Sequence, residues 1–248
     1  MRTLNMARGP SSDEPMTATD SLSAASTTAR MSSRRRSRPH CVQTGCRAPS
    51  GSSPRWLWAL RTHTIPTVSE LIDIRYLAPS DIELLNKIDR SEVIDTLYSV
   101  QDHELVARTV DVDVPDWSRE GDGEHSVRQL VEHWRPIAEA GATLLGAYDG
   151  DEFLGLAMVV DQLEPGMAWL GLLHVGRPHR RRGAAQALWN AAAEIGRSAG
   201  ATSMYVSATP SGSAVGFYLD RGCELADPPN PDLLADEPED IHFVCPIG

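Results

Sequence analysis

From Leu71 to Tyr76 apolar and polar residues alternate, which is the period of a half-buried strand, and this spacing predicts a first strand there. Ser80 predicts the cap of a helix running to about Ile88, and Arg90-Ser91-Glu92-Val93 the opening of a second, short helix. Asp102 to Val114 reads as extended and acidic, and Pro115-Asp116-Trp117 as a loop. Val127, Leu130, Val131, Trp134 and Ile137 share one helical face that ends near Gly141. Thr143 to Tyr148 and Phe153 to Val160 predict two strands joined by a hairpin turn at Asp149-Gly150-Asp151.

The second half of the chain is more sharply punctuated. Ala168 to Val175 is an apolar run with no room for a normal helix before Pro178, so it predicts a strand. Leu188, Ala192, Ile195 and Ala199 recur at helical spacing and Gly200 stops them. Thr202 to Ala208 alternates, with Met204, Val206 and Ala208 on one side and Ser203, Tyr205 and Ser207 on the other, and Pro210 ends it. Ser211 caps a helix whose apolar residues are Ala214, Val215, Phe217, Tyr218 and Leu219. Gly222 closes that helix before a strand near Cys223 to Ala226.

Between the second-half strand and helix lies Arg180-Arg181-Arg182-Gly183-Ala184-Ala185. Unpaired N–H groups at a helix start attract a pyrophosphate, arginines add charge-assisted bonds, and Gly183 with two alanines lets phosphates approach the backbone. A solvated basic turn is the competing reading of the same residues. No Gly-x-x-x-x-Gly-Lys appears and no Gly-x-Gly-x-x-Gly follows a strand, so two other phosphate-binding loops are excluded.

Taken together, Arg180-x-x-Gly183-x-Ala185 and the later Ser211-x-x-Ala214-x-x-Phe217-Tyr218 followed by Gly222 resemble the two motifs of the GNAT superfamily of N-acetyltransferases. The resemblance is strongest from about Leu170 to Leu225. Ser211 stands where the family usually has asparagine, a departure that leaves a cofactor contact by this side chain open. The resemblance implies an α/β fold with a mixed, mostly antiparallel twisted sheet flanked by helices, whose splayed central strands form an acetyl-CoA slot. It implies that the strand ending at Val175 splays from the one starting near Thr202. Leu173 and Val175 would then pair with the pantetheine amides, and a backbone N–H near Leu173 would hold the oxyanion. Arg180, Arg181, Arg182, Gly183, Ala184 and Ala185 would cradle the pyrophosphate, largely through main-chain N–H groups.

By the same resemblance Tyr218 is the candidate acid for the departing thiolate, with a packed core tyrosine as the other reading. Many relatives carry a carboxylate on the strand equivalent to Ala168–Val175, and this strand has none. His174 is its only titratable residue and becomes one candidate base, Glu92 the other, with a water chain as a third route. The implied reaction moves the acetyl group of acetyl-CoA to the primary amine of a small molecule or peptide. The rival reading is a CoA-binding sensor or interaction module without turnover, which the missing strand carboxylate favours and Tyr218 opposes. A longer acyl-CoA donor is not excluded.

Charge divides the chain. The 248 residues carry a net charge of -11, but the first 68 hold ten Arg, no Lys and three acids, leaving thirteen basic and thirty-one acidic residues for the rest. The Ser-, Pro- and Arg-rich residues 1–68 lack the apolar periodicity that offsets ordering and read as a disordered extension; with Val68 as a candidate start, the annotated beginning would lie too far upstream. Residues 69–248 suit one domain. Arg34-Arg35-Arg36 has no apolar run behind it, so it does not read as an export signal, and it is too short to suggest nucleic acid. Cys41 and Cys46 lack a second ligand pair for zinc, so no metal is expected. Cys223 and Cys245 read as buried thiols. No apolar run is of membrane-spanning length, and the expected compartment is the cytoplasm. The acidic domain favours a cationic acceptor such as a polyamine, an aminoglycoside or a lysine side chain. The acidic runs Asp227–Asp232 and Asp236–Asp240 read as loops, the latter a candidate lid with Trp117 and Trp134 as walls. A homodimer is left open, since many relatives pair through their C-terminal strands.

Overall fold

A computed structural model describes residues 72–121, 123 and 125–248. The basic extension, the Val68 start and Cys41 and Cys46 lie outside the described residues. Among the described residues nine strands and four α-helices follow one another: β1 (Asp73–Leu77), β2 (Glu92–Gln101), β3 (Glu104–Val114), α1 (Val127–Glu139), β4 (Thr143–Asp149), β5 (Glu152–Glu164), β6 (Met167–Val175), α2 (Ala184–Ser198), β7 (Ser203–Ala208), α3 (Gly212–Leu219), β8 (Glu224–Leu225), α4 (Pro231–Asp236) and β9 (Ile241–Pro246). Seven strands form one sheet in the order β1-β4-β5-β6-β7-β9-β8. Only β6 and β7 run parallel, so the sheet is mixed and mostly antiparallel. Among the described residues no helix is long and apolar enough to cross a membrane.

Each face of the sheet buries its own cluster. Ala168, Leu170, Met204, Val206 and Phe243 pack with Leu188, Ala192, Val215 and Tyr218 of α2 and α3. On the other face Leu156, Met158, Trp169 and Tyr205 pack with Val131 and Trp134 of α1 and with Ile82 and Leu85. Ser126 caps α1 by accepting from Gln129 N, and Ser211 caps α3 by accepting from Ala214 N.

Several expectations are corrected. Residues 90–93 do not open a helix: Glu92 begins β2, which pairs with β3 through Gln101↔Glu104. The run Val93-Ile94-Asp95-Thr96-Leu97-Tyr98 is rich in β-branched residues, and Asp102 and His103, with φ of 49° and 64°, supply the two left-handed turn positions of a tight hairpin. The helix expected from Ser80 to Ile88 is a 3₁₀ helix over Pro79–Lys87 that starts one residue earlier, because Pro79 takes its first position and Asp81 accepts from Ala78 N at 2.8 Å. Part of the expected 227–232 loop belongs to α4, whose cap Asn230 accepts from Asp232 N and Leu233 N.

The largest correction concerns Cys223 and Cys245, which form a disulfide rather than two buried thiols. The β8–β9 register, Glu224↔Val244, brings the preceding and following residues side by side at a Cα–Cα distance of 4.0 Å. Both cysteines lie in the core on the α2–α3 face.

Candidate active site

β6 and β7 stay together for four residues, Met167–Leu170 against Ser203–Val206, and then part. The parting coincides with a bulge: Met158 faces Leu172 and Val159 faces Leu170, so Gly171 has no partner on β5. A Cβ on Gly171 would lie 2.9 Å from the Trp134 ring. Beyond the bulge β6 pairs only with β5, while Ser207 and Ala208 pair only with β9. Two strand edges therefore face each other across a wedge.

Strand alternation decides which groups line it. Gly176 N donates to Leu154 O, and the His174 carbonyl packs against Gly155, so 174 and 176 turn toward β5. The main-chain groups of Leu173 and Val175 turn the other way, into the wedge.

The Arg180 side chain is committed to carbonyls of the protein itself. Its guanidinium donates to Val175 O at 3.2 Å, Ser91 O at 3.2 Å and Arg90 O at 2.9 Å, and lies 3.8 Å from Glu92. The side chain thus clamps the start of β2 to the end of β6. Arg182 is likewise engaged, with Asp149 at 2.7 Å and Glu152 at 3.7 Å on the β4–β5 hairpin. Arg181 is exposed, sits at φ 61° and has no partner among the described residues. Gly183 precedes α2 at φ 90°, in the left-handed region that favours glycine, and caps the helix with no side chain. The first bond into α2 runs from Ala187 N to Gly183 O, so the N–H groups of Ala184, Ala185 and Gln186 have no intrahelical acceptor. Among the described residues one free cation and a row of N–H groups without an acceptor remain at this turn.

The other lip of the wedge belongs to α3. Ser211 is 2% exposed, and β2 covers it through the Leu97↔Ser211 bridge and the bond from Tyr98 N to Pro210 O. Its hydroxyl serves the helix cap, not an open surface. Tyr218 packs on Trp189, Phe217 and Phe243 at ring separations of 5.9, 5.2 and 6.1 Å. It is 6% exposed, its hydroxyl has no hydrogen-bond partner among the described residues, and burial holds the phenol well above its ordinary pKa, so it is protonated at neutral pH.

The two candidate bases sit together near the β6 lip. His174 meets Trp117 edge to face at 4.9 Å. Burial first, and then the Arg90 and Arg180 charges, push its pKa down to about 4, so the imidazole is neutral at pH 7 and a weak proton acceptor. Glu92 faces Arg180 from the ribbon, not from a helix over the site.

On the opposite lip the structure assembles groups that single-residue reasoning did not assign. Tyr205 and Ser207 of β7 and His242 of β9 share the α1 face, with Ser207 and His242 opposite each other. Tyr205 Oη lies 3.0 Å and Ser207 Oγ 3.5 Å from His242 Nδ1, and His242 Nε2 donates to Glu237 O at 3.2 Å. The Ser207 hydroxyl also lies within reach of the Glu237 carboxyl. Burial, and then Asp240, push Glu237 up to about 7, and burial with Glu239 pushes Asp240 up to about 6. Neither has a basic partner among the described residues. The Asp236–Asp240 run was legible as acidic; its packing onto β7 depends on α4, which the sequence pattern does not reveal.

Residues 106–223 match the model of the Acetyltransferase (GNAT) family. The structure of a nourseothricin acetyltransferase superposes with a TM-score of 0.52 at 20% identity, covering 72% of this chain and 99% of that one. A Bacillus anthracis protein described as a streptothricin acetyltransferase, solved with acetyl coenzyme A, gives 0.50 at 13% identity over 70% of this chain and 95% of that one. No curated protein matches the chain in sequence.

Proposed function

We propose that the chain, which matches the GNAT acetyltransferase family model over residues 106–223, is an acyltransferase that moves the acetyl group of acetyl-CoA to a primary amine of a small molecule or peptide by direct attack. The observation that carries this reading is the wedge that opens where the β6–β7 pairing ends at Leu170 and Val206. Its β6 edge offers Leu173 N–H and C=O and Val175 N–H to the amides of an extended pantetheine arm. Val175 O is already taken by Arg180. Arg181 and the free N–H groups that follow Gly183 suit a pyrophosphate. Acetyl-CoA, when bound, supplies an activated acetyl thioester.

The chain's own part is to hold and polarise. A Leu173 N–H directed into the wedge stabilises negative charge on the thioester oxygen. Tyr218, kept protonated by burial, donates to the departing sulfur. The surplus of acids after residue 68 supports a cationic acceptor. The cytoplasm, where acetyl-CoA is abundant, is the proposed compartment, and the Cys223–Cys245 bond speaks against it, since such bonds are rare in reducing compartments.

One observation favours a sensor without turnover: β6 has no carboxylate, and its histidine is held neutral. Free-thiol release from acetyl-CoA by the full chain separates the two. The acceptors are pooled polyamines, aminoglycosides, amino acids and lysine peptides, with nourseothricin added because a similar structure bears that name. Acetyl transfer gives release that depends on one pool and falls in Tyr218→Phe. Tight acetyl-CoA binding without release in any pool would support the sensor.

A further inference from the structure

The geometry points to Glu237, seated on Ser207 at the free end of β7, as the group that accepts the proton of the incoming ammonium. This rests on the acetyl-transfer reading and completes it, since that reading leaves the β6 lip without a usable base.

Three independent observations converge. Ser207 is the first β7 residue past the end of the β6–β7 pairing, so a side chain resting on it lies at the lip of the wedge. Glu237 and Asp240 are partly buried carboxylates with no basic partner among the described residues, an arrangement that suits a cation arriving from outside. Tyr218, nine-tenths buried with an unpartnered hydroxyl on the α2–α3 face, is close enough to Asp240 to feel its charge, and Asp240 in turn acts on Glu237, so the acid candidate and the base candidate flank the same segment from opposite faces of the sheet.

The groups facing Glu237 are Ser207 and Tyr205 from β7, His242 from β9, and Asp236 and Asp240 from its own segment. His242 is kept uncharged by burial and Tyr205 is protonated, so among the described residues no cation acts on Glu237. His242 holds the Glu237 main chain at 3.2 Å, which keeps the residue beside Ser207.

One N–H bond of R–NH₃⁺ breaks and its proton passes, directly or through one water, to the Glu237 carboxylate. The neutral amine forms the new C–N bond as the C–S bond breaks, and the thiolate takes the Tyr218 proton. The second proton lost by the nitrogen restores Tyr218, and Glu237 returns its own proton to solvent.

The test is a pH titration of the full chain labelled with ¹³C at glutamate carboxyl carbons, saturated with CoA, with E237Q to assign the resonance and spermidine as the probe amine. A carboxyl resonance absent from E237Q should titrate near pH 7, and its midpoint should move to lower pH both in D240N, which loses a like charge, and on adding spermidine. An ordinary carboxylate midpoint, or one that spermidine leaves unmoved, overturns the proposal. In turnover, E237Q should lose about 100-fold in kcat/KM and the acidic limb of the pH profile, with partial rescue by E237D; an intact limb in E237Q also overturns it. Calorimetry of acetyl-CoA with the wild-type chain runs in parallel. Failure there would remove the acetyl-transfer reading while leaving the carboxyl titration readable.

Discussion

Gly155→Ala tests whether the β6 lip is held by backbone-to-backbone contact. A Cβ at 155 would lie 2.9 Å from Val175 Cα and closer still to the His174 carbonyl oxygen. Neither atom is the end of a flexible side chain, so β5 and β6 must separate. Overpacking of this kind costs about 1–3 kcal/mol, and a clash with main chain belongs at the top of that range. For a domain of this size about 3 kcal/mol lowers Tm by roughly 6–12 °C. Two other glycines calibrate the effect. At Gly171 the added carbon meets the Trp134 ring, which can shift, so the loss should be smaller. At Gly216, inside α3, nothing lies within 4 Å, and alanine should stabilise by about 0.5–1 kcal/mol. Thermal unfolding followed by circular dichroism, with urea midpoints, gives all three values. The order Gly216→Ala above wild type, then Gly171→Ala, then Gly155→Ala is required. A Gly155→Ala chain within 1 kcal/mol of wild type would refute the packing argument. The same variant should weaken acetyl-CoA binding, because the displaced residues are those that line the wedge.

Arg180→Met removes donors from the Val175, Ser91 and Arg90 carbonyls and should cost about 1–3 kcal/mol; it also removes a positive charge from His174, whose pKa should rise in an NMR titration of the ring. Reducing the Cys223–Cys245 bond under denaturing exchange should lower stability by about 2–4 kcal/mol, measured as a shift in urea midpoint against the oxidised chain. Glu237 is raised from 4.5 to about 7, so it contributes stability fully below pH 4.5 that is lost as pH rises through 7. Wild type should therefore lose stability relative to E237Q across that window, with a slope of at most about 1.4 kcal/mol per pH unit, and parallel curves would contradict the burial of this carboxyl. His174 acts with the opposite sign, contributing above pH 6.5 and failing as pH falls through about 4, so it leaves the wild-type minus E237Q difference untouched.

What could be read from the chain alone was whatever depends on neighbours in sequence. The β6, α2, β7 and α3 elements were legible because apolar period, cap and stop coincide at each: Gly183 and Gly200 bracket α2, Pro210 and Ser211 separate β7 from α3. The β2–β3 ribbon was misread at its start because Arg90–Val93 was judged without its partner, Val114, twenty-two residues away from Glu92. The disulfide depends on the β8–β9 register, which no local pattern sets. The direction of the Arg180 side chain was not legible, because sequence gives a charge without a direction, and the direction comes from three carbonyls contributed by two strand ends. Glu237 was one acid among many until α4 laid it on Ser207.

These nonlocal placements give the wedge a polarity. Arg181 and the start of α2 present positive charge and free N–H groups at one end, and Glu237 with Asp240 present carboxylates against the opposite strand. An anionic donor and a cationic acceptor would each be repelled by the other's position, so the two would be sorted before any close contact forms. The clamp by Arg180 strengthens this separation. Burial, then the Arg90 charge and that of Arg180, keeps His174 neutral, and a protonated imidazole on the β6 lip would repel an ammonium at the point where it must approach the thioester. A histidine that looked like a base is better explained as a neutral wall with Trp117, on the side of the wedge opposite the carboxylate that takes the proton.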